Sequence, residues 1–233
     1  MTGSIGTLNE GSLHAALKDW YAEPDDLIEV PVDGFIVDIV RGEMLIEIQT
    51  SSFAAIKRKL FALVEQYCVR LVYPVPCDKW IVKVLDEKTA EVSRRKSPKH
   101  GHWVDVFDEL VSFPQLMSRP NFELDVVLTQ EDEIWRRAAS GRAWRRRGWQ
   151  VEDRLLLDVI ERRRFESGDD LLGLLPDSLD DPFTTSDISM LLGRPRRLAQ
   201  KVAYCLREMG AISSVGKTGN AVLYARQDYT QET

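Results

Sequence analysis

The chain is poor in cysteine, and it has no long apolar run. The three cysteines, Cys68, Cys77 and Cys205, are odd in number and widely spaced, which argues against a disulfide framework and against a cysteine zinc site. No apolar stretch approaches the ~20 residues that cross a bilayer, so we expect no membrane partner. The opening residues MTGSIGTLNEGS have neither the basic nor the apolar region of a secretory signal, and we therefore expect a cytoplasmic protein.

Internal repeats and low-complexity tracts are also absent from the sequence, and 44% hydrophobic and 29% charged residues are typical of a folded chain. The charge is unevenly distributed. Residues 1–135 hold 23 acidic against 14 basic side chains, whereas residues 136–233 hold 14 against 17. This contrast predicts two domains with different tasks. The net charge of −6 does not exclude nucleic-acid binding, because phosphate attraction depends on the local patch.

The first half of the chain alternates between helical and strand patterns. Apolar residues at helical spacing mark helices, and short β-branched runs separated by Asp33-Gly34 and Arg41-Gly42 mark a strand meander. The predicted elements are a helix at 10–21, strands at 27–32, 35–40 and 43–49, a helix at 51–67, strands at 69–76 and 80–85, a basic loop at 91–102, a short helix within 103–117 and a strand at 122–130.

Two carboxylates of this meander are placed to meet. Side chains alternate between the faces of a strand, so Asp38 on the second strand lies beside Glu47 on the third if the two strands form a hairpin. Carboxylates among isoleucine and valine are costly unless they are paired or bind a cation. A hard ion such as Mg²⁺, or Mn²⁺, takes oxygen ligands, which Asp38, Glu47 and the backbone carbonyl of Ile48 would supply. Such an ion activates water for phosphodiester hydrolysis.

The element order αβββαβ, with Asp38 on the second strand and Glu47 and Gln49 on the third, resembles the PD-(D/E)xK nuclease superfamily over residues 10–75. The resemblance implies an α/β fold with a restriction-endonuclease-like core and a mixed sheet. It also implies that Asp38, Glu47 and Gln49 are catalytic, and that Glu10 on the first helix is a further metal ligand.

Two positions depart from the superfamily pattern. Val37 stands where many members have proline, and Gln49 stands where most have lysine. Glutamine orients a water molecule but supplies no positive charge, so Lys57 or Lys59 on the following helix is expected to replace the lysine, and we favour Lys57. The alternative is a degenerate, inactive nuclease fold. His14 on the first helix is interpreted as a surface or core residue, and the alternative is a side chain that contacts a metal ligand of the site.

The carboxy-terminal part resembles an α+β winged helix-turn-helix. A capped helix at 183–193 is followed by a longer helix at 194–210 and a β-hairpin at 211–227. We expect the outward residues of the longer helix and of the wing to contact DNA. The alternative is a winged helix that contacts protein. The residues assigned to DNA are Arg194, Arg196, Arg197, Gln200, Lys201, Tyr204 and Lys217.

Two further basic stretches are candidate DNA contacts. The segment 135–150 combines six arginines with three tryptophans and no acid, which suits phosphate contact and base stacking. The alternative is a helix that packs its tryptophans and leaves its arginines in water. The loop at 91–102 is the other stretch, and its alternative is plain solvation. The residues assigned to DNA from the two stretches are Arg94, Arg95, Lys96, Lys99, Arg145, Arg146 and Arg147.

The sequence therefore predicts a nuclease-like domain at 1–134, a basic joint at 135–150 and a winged-helix domain at 151–233 that begins with a helix at 151–165. We expect a Mg²⁺- or Mn²⁺-dependent DNA endonuclease that acts in defence, repair or mobile-element processing. The alternative is a non-catalytic DNA-binding regulator on a degenerate nuclease fold. Cutting two strands commonly needs two sites, which leaves a homodimer open.

Overall fold

The computed structural model of the chain describes residues 11–86, 91–137 and 148–227. Within these ranges the fold is mixed α/β. None of the helices in this part of the chain combines the length and apolarity that crossing a membrane requires. The helices are α1 (Ser12–Tyr21), α2 (Lys57–Leu63), α3 (Phe107–Leu110), α4 (Gly168–Leu172), α5 (Thr185–Leu192) and α6 (Arg196–Glu208), with 3-10 turns at Phe53–Ala55, Trp103–Val106 and Pro114–Ser118.

Nine strands are found in the described ranges, seven in one sheet and two in a separate hairpin. The sheet order is β1-β2-β3-β4-β6-β7, with β5 paired to β4. The pairs β1–β2, β2–β3 and β4–β5 are antiparallel. The strands are β1 (Leu27–Val32), β2 (Phe35–Arg41), β3 (Met44–Ile48), β4 (Cys68–Asp86), β5 (Glu91–Lys96), β6 (Phe122–Arg137), β7 (Trp149–Phe165), β8 (Ile212–Thr218) and β9 (Ala221–Arg226).

The meander β1–β3 follows the predicted pattern closely. Asp33 and Gly34 connect β1 to β2 with φ angles of 47° and 80°, and Gly42 between β2 and β3 has a φ of 57°. Glycine adopts this left-handed region without a steric penalty, and aspartate tolerates it better than most residues. Asp33 therefore serves the turn.

The described residues divide into two compact units that interleave along the chain. The first unit comprises the described parts of Met1–Thr50, Val72–His102 and Val126–Arg163, and the second those of Ser51–Leu71, Trp103–Asp125 and Arg164–Thr233. Each unit thus takes segments from both sides of the joint expected at 135–150. Residues 138–147 of that joint lie outside the described residues.

The core of the first unit lies between α1 and the sheet. Leu13, Leu17 and Tyr21 follow one another at i, i+4 and i+8 on α1, so they share one helix face. All three are buried, and they form a core cluster with Ile39 of β2 and Ile46 of β3. Burial of side chains of this size stabilises the fold by roughly 2 kcal/mol each, which secures α1 against the meander.

The second unit is built on aromatic packing and on the helix pair α5–α6. The rings of Phe53 and Phe113 stack with their centroids 5.0 Å apart. Thr184 and Asp187 form a reciprocal capping box at the start of α5, and the hydrogen bond from the Thr184 backbone lowers the pKa of the Asp187 carboxyl. The predicted inner face of α6 is confirmed as buried, and it consists of Leu198, Val202, Cys205, Leu206 and Met209.

Two regions of the sheet are longer or more regular than the sequence pattern indicates. The strands expected at 69–76 and 80–85 are one strand, β4, which continues through Pro74 and Pro76. The segment expected to be a basic loop at 91–102 begins with β5, which pairs with β4 from Glu91 to Lys96. The pairing supplies backbone hydrogen bonds that the local sequence does not reveal.

The helix predicted at 151–165 is wrong, because Trp149–Phe165 forms β7. Apolar residues in this segment also fit a strand. Leu156 and Val159 pack against the core of the first unit, whereas Leu155, Leu157 and Ile160 are exposed. Helical spacing and interrupted strand alternation are hard to distinguish over such a short apolar run.

A buried acid on β6 explains why β7 forms a strand beside it in the first unit. Glu131 of β6 is fully buried, at 0% exposure. Arg154 of β7 donates to both of its oxygens, at 2.8 and 3.0 Å, and the Thr129 hydroxyl donates at 2.6 Å. A buried carboxylate without such partners costs several kcal/mol, so β7 must lie beside β6.

The same arrangement recurs in the second unit, at the other ends of the two strands. Asp125 of β6 is fully buried, and Arg164 of β7 donates to its two oxygens at 2.8 and 3.3 Å. Two buried acids on one strand are therefore matched by two arginines on its neighbour.

We expect Arg154→Ala to lower the free energy of unfolding by about 3 kcal/mol, because it leaves Glu131 buried without its cation. Urea denaturation measures the change. Arg95→Ala removes an exposed arginine from β5 of the same sheet and should change stability by less than about 0.5 kcal/mol. Equal effects of the two substitutions would contradict the importance of the buried pair.

Candidate functional site

The two predicted carboxylates lie on adjacent strands of the first unit. Asp38 belongs to β2 and Glu47 to β3. The two strands pair antiparallel, with Ile39 opposite Ile46 and Arg41 opposite Met44, as expected of a hairpin. The paired residues end at Ile39 and Ile46, and Asp38 and Glu47 directly adjoin that last pair.

The carboxylate of Asp38 contacts both β3 and α1. Its Oδ2 accepts the backbone N–H of Ile48 at 2.8 Å, and its Oδ1 lies 3.2 Å from Nε2 of His14. Asp38 is 16% exposed. The acid of β2 is thus held against the end of β3, between the positions of Glu47 and Gln49.

His14 differs from its interpretation as a surface or core residue, because its ring reaches Asp38. It directly follows Leu13, which lies on the buried face of α1. A side chain at the edge of a buried helix face can reach the strand below it. That position next to the apolar stripe is the sequence signal that would have pointed to His14.

Glu47, Ile48 and Gln49 are all buried. Glu47 is only 3% exposed, and its Oε1 accepts no hydrogen bond from the described residues, although the side chain has other interaction partners. The backbone N–H of Gln49 donates to the carbonyl of Val72 at 2.9 Å, which ties the end of β3 to β4. A carboxylate in such surroundings is costly unless a cation or donors offset its charge.

These residues offer oxygen ligands of the kind that Mg²⁺ prefers. The carboxylates are those of Asp38 and Glu47. No group of three or more His, Cys, Asp or Glu side chains in the described ranges is placed to hold a metal ion. Glu10, the predicted third acid, lies outside those ranges. Ile48 is joined to Asp38 through its N–H, and its carbonyl remains the predicted ligand. Asp38 and Glu47 are therefore the predicted carboxylate ligands that lie within the described ranges.

The predicted substitutes for the missing lysine belong to the second unit. Lys57 is the first residue of α2 and is exposed, with its ammonium 5.8 Å from the centroid of the Phe61 ring. Lys59 is half-buried in the same helix. Within the first unit, Gln49 is the polar residue that directly follows the end of β3 beside the pair.

An arginine clamp ties β2 to the loop that follows α1. Arg41 donates to the two oxygens of Asp26 at 2.9 and 2.7 Å and to the carbonyl of Tyr21 at 2.8 Å. The hydrogen bond from Arg41 lowers the pKa of the Asp26 carboxyl, although burial opposes the shift. The clamp fixes α1, which carries His14, relative to β2, which carries Asp38.

Two of the basic residues expected to bind DNA are neutralised within the first unit. Arg94 forms an ion pair with Asp132 at 2.9 Å, and its guanidinium lies 4.6 Å from the centroid of the Trp80 ring. Lys96 pairs with Asp78 at 2.9 Å, and this hydrogen bond lowers the pKa of the Asp78 carboxyl. Both charges are already offset by the protein.

The other basic residues of these stretches have different surroundings. Arg95, between the two on β5, is exposed, and so is Lys99. Arg145, Arg146 and Arg147 lie outside the described residues.

In the second unit, part of the predicted DNA-contacting face is open to solvent. Lys201 instead donates to the carbonyl and carboxylate of Asp108, at 2.9 and 2.7 Å, and Arg194 lies 3.6 Å from Asp105. Burial raises the pKa of the Cys205 thiol to about 12, so this inner-face residue is an inert core group. The exposed residues are Arg196, Arg197, Gln200 and Tyr204 on α6 and Lys217 on β8.

Comparisons with known proteins match the part of the chain that contains Asp38 and Glu47. A family model described as "Domain of unknown function (DUF8091)" matches residues 11–166. An "Uncharacterized protein" of Treponema pallidum (strain Nichols) is 29% identical over 226 residues, which cover 96% of this chain and 88% of that protein. No solved structure matches the chain.

We expect Asp38→Ala to lower the free energy of unfolding by about 2 kcal/mol, because the buried N–H of Ile48 loses its acceptor. Asp38→Asn keeps an acceptor oxygen and should cost about half as much. Urea denaturation compares the two variants with Glu43→Ala, which removes an exposed acid of the same meander. A loss as large for Asn as for Ala would show that the hydrogen bond is not what Asp38 contributes.

Proposed function

The chain belongs to the family described as Domain of unknown function (DUF8091), and we propose that it is a metal-dependent DNA endonuclease whose site is built on Asp38 and Glu47. One observation carries the proposal. The Asp38 carboxylate lies 2.8 Å from the backbone nitrogen of Ile48, so the acid of β2 meets β3 between Glu47 and Gln49. The element order α1-β1-β2-β3-α2-β4 supports it, because this is the order on which the resemblance to PD-(D/E)xK nucleases rests.

The metal ion would be Mg²⁺ or Mn²⁺, held by Asp38, Glu47 and the backbone carbonyl of Ile48. When bound, it would supply positive charge to the phosphate and lower the pKa of a water molecule. The buried setting of Glu47 supports this assignment, since electrostatic interactions are stronger where water is excluded.

The remaining tasks fall to side chains of the chain itself. His14 contacts Asp38 and holds its carboxylate in one orientation. Gln49 has an amide that accepts and donates hydrogen bonds, so it would orient the attacking water. Hydrolysis adds that water across one P–O bond, which leaves a phosphate on one product and a hydroxyl on the other.

The second unit would hold the DNA. The exposed residues Arg196, Arg197, Gln200 and Tyr204 repeat along one side of α6, which follows α5 after a left-handed Gly193 at φ 60°. Two helices joined by such a turn and followed by the hairpin β8–β9 fit a winged helix-turn-helix. Basic and polar residues at the start of its second helix are where DNA contacts are usually made.

A non-catalytic DNA-binding regulator is the second candidate. It is favoured by Gln49, which stands at the lysine position and supplies no charge to the reaction. Lys57, the proposed substitute, contacts the ring of Phe61 in the second unit. In this alternative the carboxylate pair is retained for structure, and DNA binding through α6 is unchanged.

Cleavage of duplex, single-stranded and branched DNA should depend on Mg²⁺ or Mn²⁺. Asp38→Ala and Glu47→Ala should each reduce the rate at least about 100-fold, because both remove a ligand of the ion. Gel assays with labelled DNA measure the rates. The matched control is Glu43→Ala, an exposed acid on the same meander, which should cleave like the unchanged protein.

Two outcomes would separate the candidates. If Asp38→Ala and Glu47→Ala cleave normally, the site assignment fails. If the unchanged protein binds DNA but cleaves none of the substrates with either metal, the regulator replaces the nuclease.

Substitution of Arg196 and Arg197 by alanine should weaken DNA binding about 10-fold or more at physiological salt, because two phosphate contacts are lost. Fluorescence anisotropy with a labelled duplex measures the Kd. Arg207→Ala serves as the control, because Arg207 lies on the same helix but pairs with Glu208 at 2.9 Å. Equal weakening by the control would mean that α6 acts only through its general charge.

A further inference from the structure

The two faces of the sheet around β4 and β5 differ in whether their cations are paired with carboxylates. The two strands pair antiparallel with Ile81 opposite Arg95. Side chains alternate along a strand, so Lys83 shares a face with Arg95, whereas Arg94 and Lys96 share the opposite face. Adjacent residues of β5 therefore have their side chains on opposite faces of the sheet.

On the face of Arg94 and Lys96, each cation has a carboxylate. Asp132 pairs with Arg94 and Asp78 with Lys96, both at 2.9 Å. The Trp80 ring lies beneath both cations, at 4.6 and 5.4 Å from its centroid. This face is electrostatically closed, and it has little charge left for an external anion.

On the other face, two cations share one indole ring. The Lys83 ammonium and the Arg137 guanidinium each lie 4.8 Å from the centroid of Trp149. Trp149 is only 7% exposed, so it is a firm support for both groups. Within the described ranges, neither Lys83 nor Arg137 forms an ion pair with a carboxylate.

Glu133 is an acid of this face that is already paired. Glu133 precedes Trp135 and Arg137 in the alternation of β6, and it accepts hydrogen bonds from Lys79 and from the Trp135 indole. Burial raises the pKa of the Glu133 carboxyl, but the Lys79 hydrogen bond and charge outweigh it and keep the pKa below its usual value. Glu133 therefore stays charged and committed to Lys79.

The cations of this face lie on three neighbouring strands. Arg95 is on β5, Lys83 on β4 and Arg137 on β6, and β4 pairs with both β5 and β6. Neighbouring strands are about 4.8 Å apart. Lys83 and Arg137 meet at the Trp149 ring, and Arg95 lies opposite Ile81, two residues before Lys83 on β4. Like charges held close together repel one another, and an anion bound against them relieves that repulsion.

We infer that Lys83, Arg95 and Arg137 form a phosphate-binding face, supported by Trp149, that holds the sugar-phosphate backbone of a nucleic acid. A group of cations on neighbouring strands suits a regularly charged polymer, and lysine and arginine are the usual phosphate contacts. The identity of the polymer as DNA rests on the proposed nuclease function. The face adds a contact in the first unit, the same unit that contains Asp38 and Glu47.

The test measures the salt dependence of DNA binding by the full chain, in buffer with EDTA so that no cleavage occurs. Lys83→Ala combined with Arg137→Ala should reduce the slope of log Kd against log salt by about 1.8, because each lost phosphate contact removes about 0.9. The matched control combines Arg94→Ala with Lys96→Ala, which removes two cations from the closed face of the same strands. Its slope should equal that of the unchanged protein.

Two more variants protect the result against misfolding. Lys83→Arg combined with Arg137→Lys keeps both charges and should keep the slope. Arg95→Ala changes an exposed side chain and should reduce the slope by about 0.9. An unchanged slope in Arg95→Ala and in the double alanine variant overturns the inference, and so does an equal loss in the control pair.

Poly-glutamate provides the remaining comparison. If the double alanine variant loses binding to poly-glutamate while its DNA slope is unchanged, the face binds an acidic protein, and the nucleic-acid assignment is overturned. Because no metal is present, the outcome does not depend on the chemistry at Asp38 and Glu47. Normal cleavage by Asp38→Ala and Glu47→Ala would remove the nuclease site without affecting this measurement.

Discussion

The pair between Arg154 and the buried Glu131 is the interaction on which the first unit depends. The guanidinium donates to both oxygens of Glu131 and also to the carbonyl of Thr50, at 2.7 Å. Thr50 directly follows Gln49 at the end of β3, so one side chain joins β7, β6 and the segment that carries the candidate site. A charge buried this deeply must be compensated. The arginine that compensates it also holds the end of β3, next to the candidate site residues.

The candidate site is held from its other side by contacts of α1. His14 lies against Asp38, and Arg41 connects β2 to Asp26 and Tyr21 at the end of that helix. The carboxylate pair therefore sits between a helix and a sheet that are each fastened by charged hydrogen bonds. Such support is what a metal site needs, because ligand geometry must be held before the ion arrives.

Ion pairing also distinguishes one surface of the protein from another. Arg94 and Lys96 are matched by carboxylates, and Lys201 of α6 is matched by Asp108. Arg95 and Lys83 lie on the other face, where Glu133 is paired with Lys79. A count of basic residues along the chain therefore overstates the number available to an external anion, and the ion pairs show which basic residues are already neutralised.

Local sequence determined the elements whose signals are short-range. The Asp33-Gly34 turn, the hairpin of β2 and β3 that carries Asp38 and Glu47, and the capped helix α5 followed by α6 could all be predicted, because turn residues, alternation and caps act over a few positions. The tertiary structure decided the rest. It made 151–165 a strand to neutralise the acids of β6, it brought His14 to Asp38, and it sorted Arg94 from Arg95 by strand face. Each of these depends on a partner far along the chain, and the residues next to a position in sequence do not identify that partner.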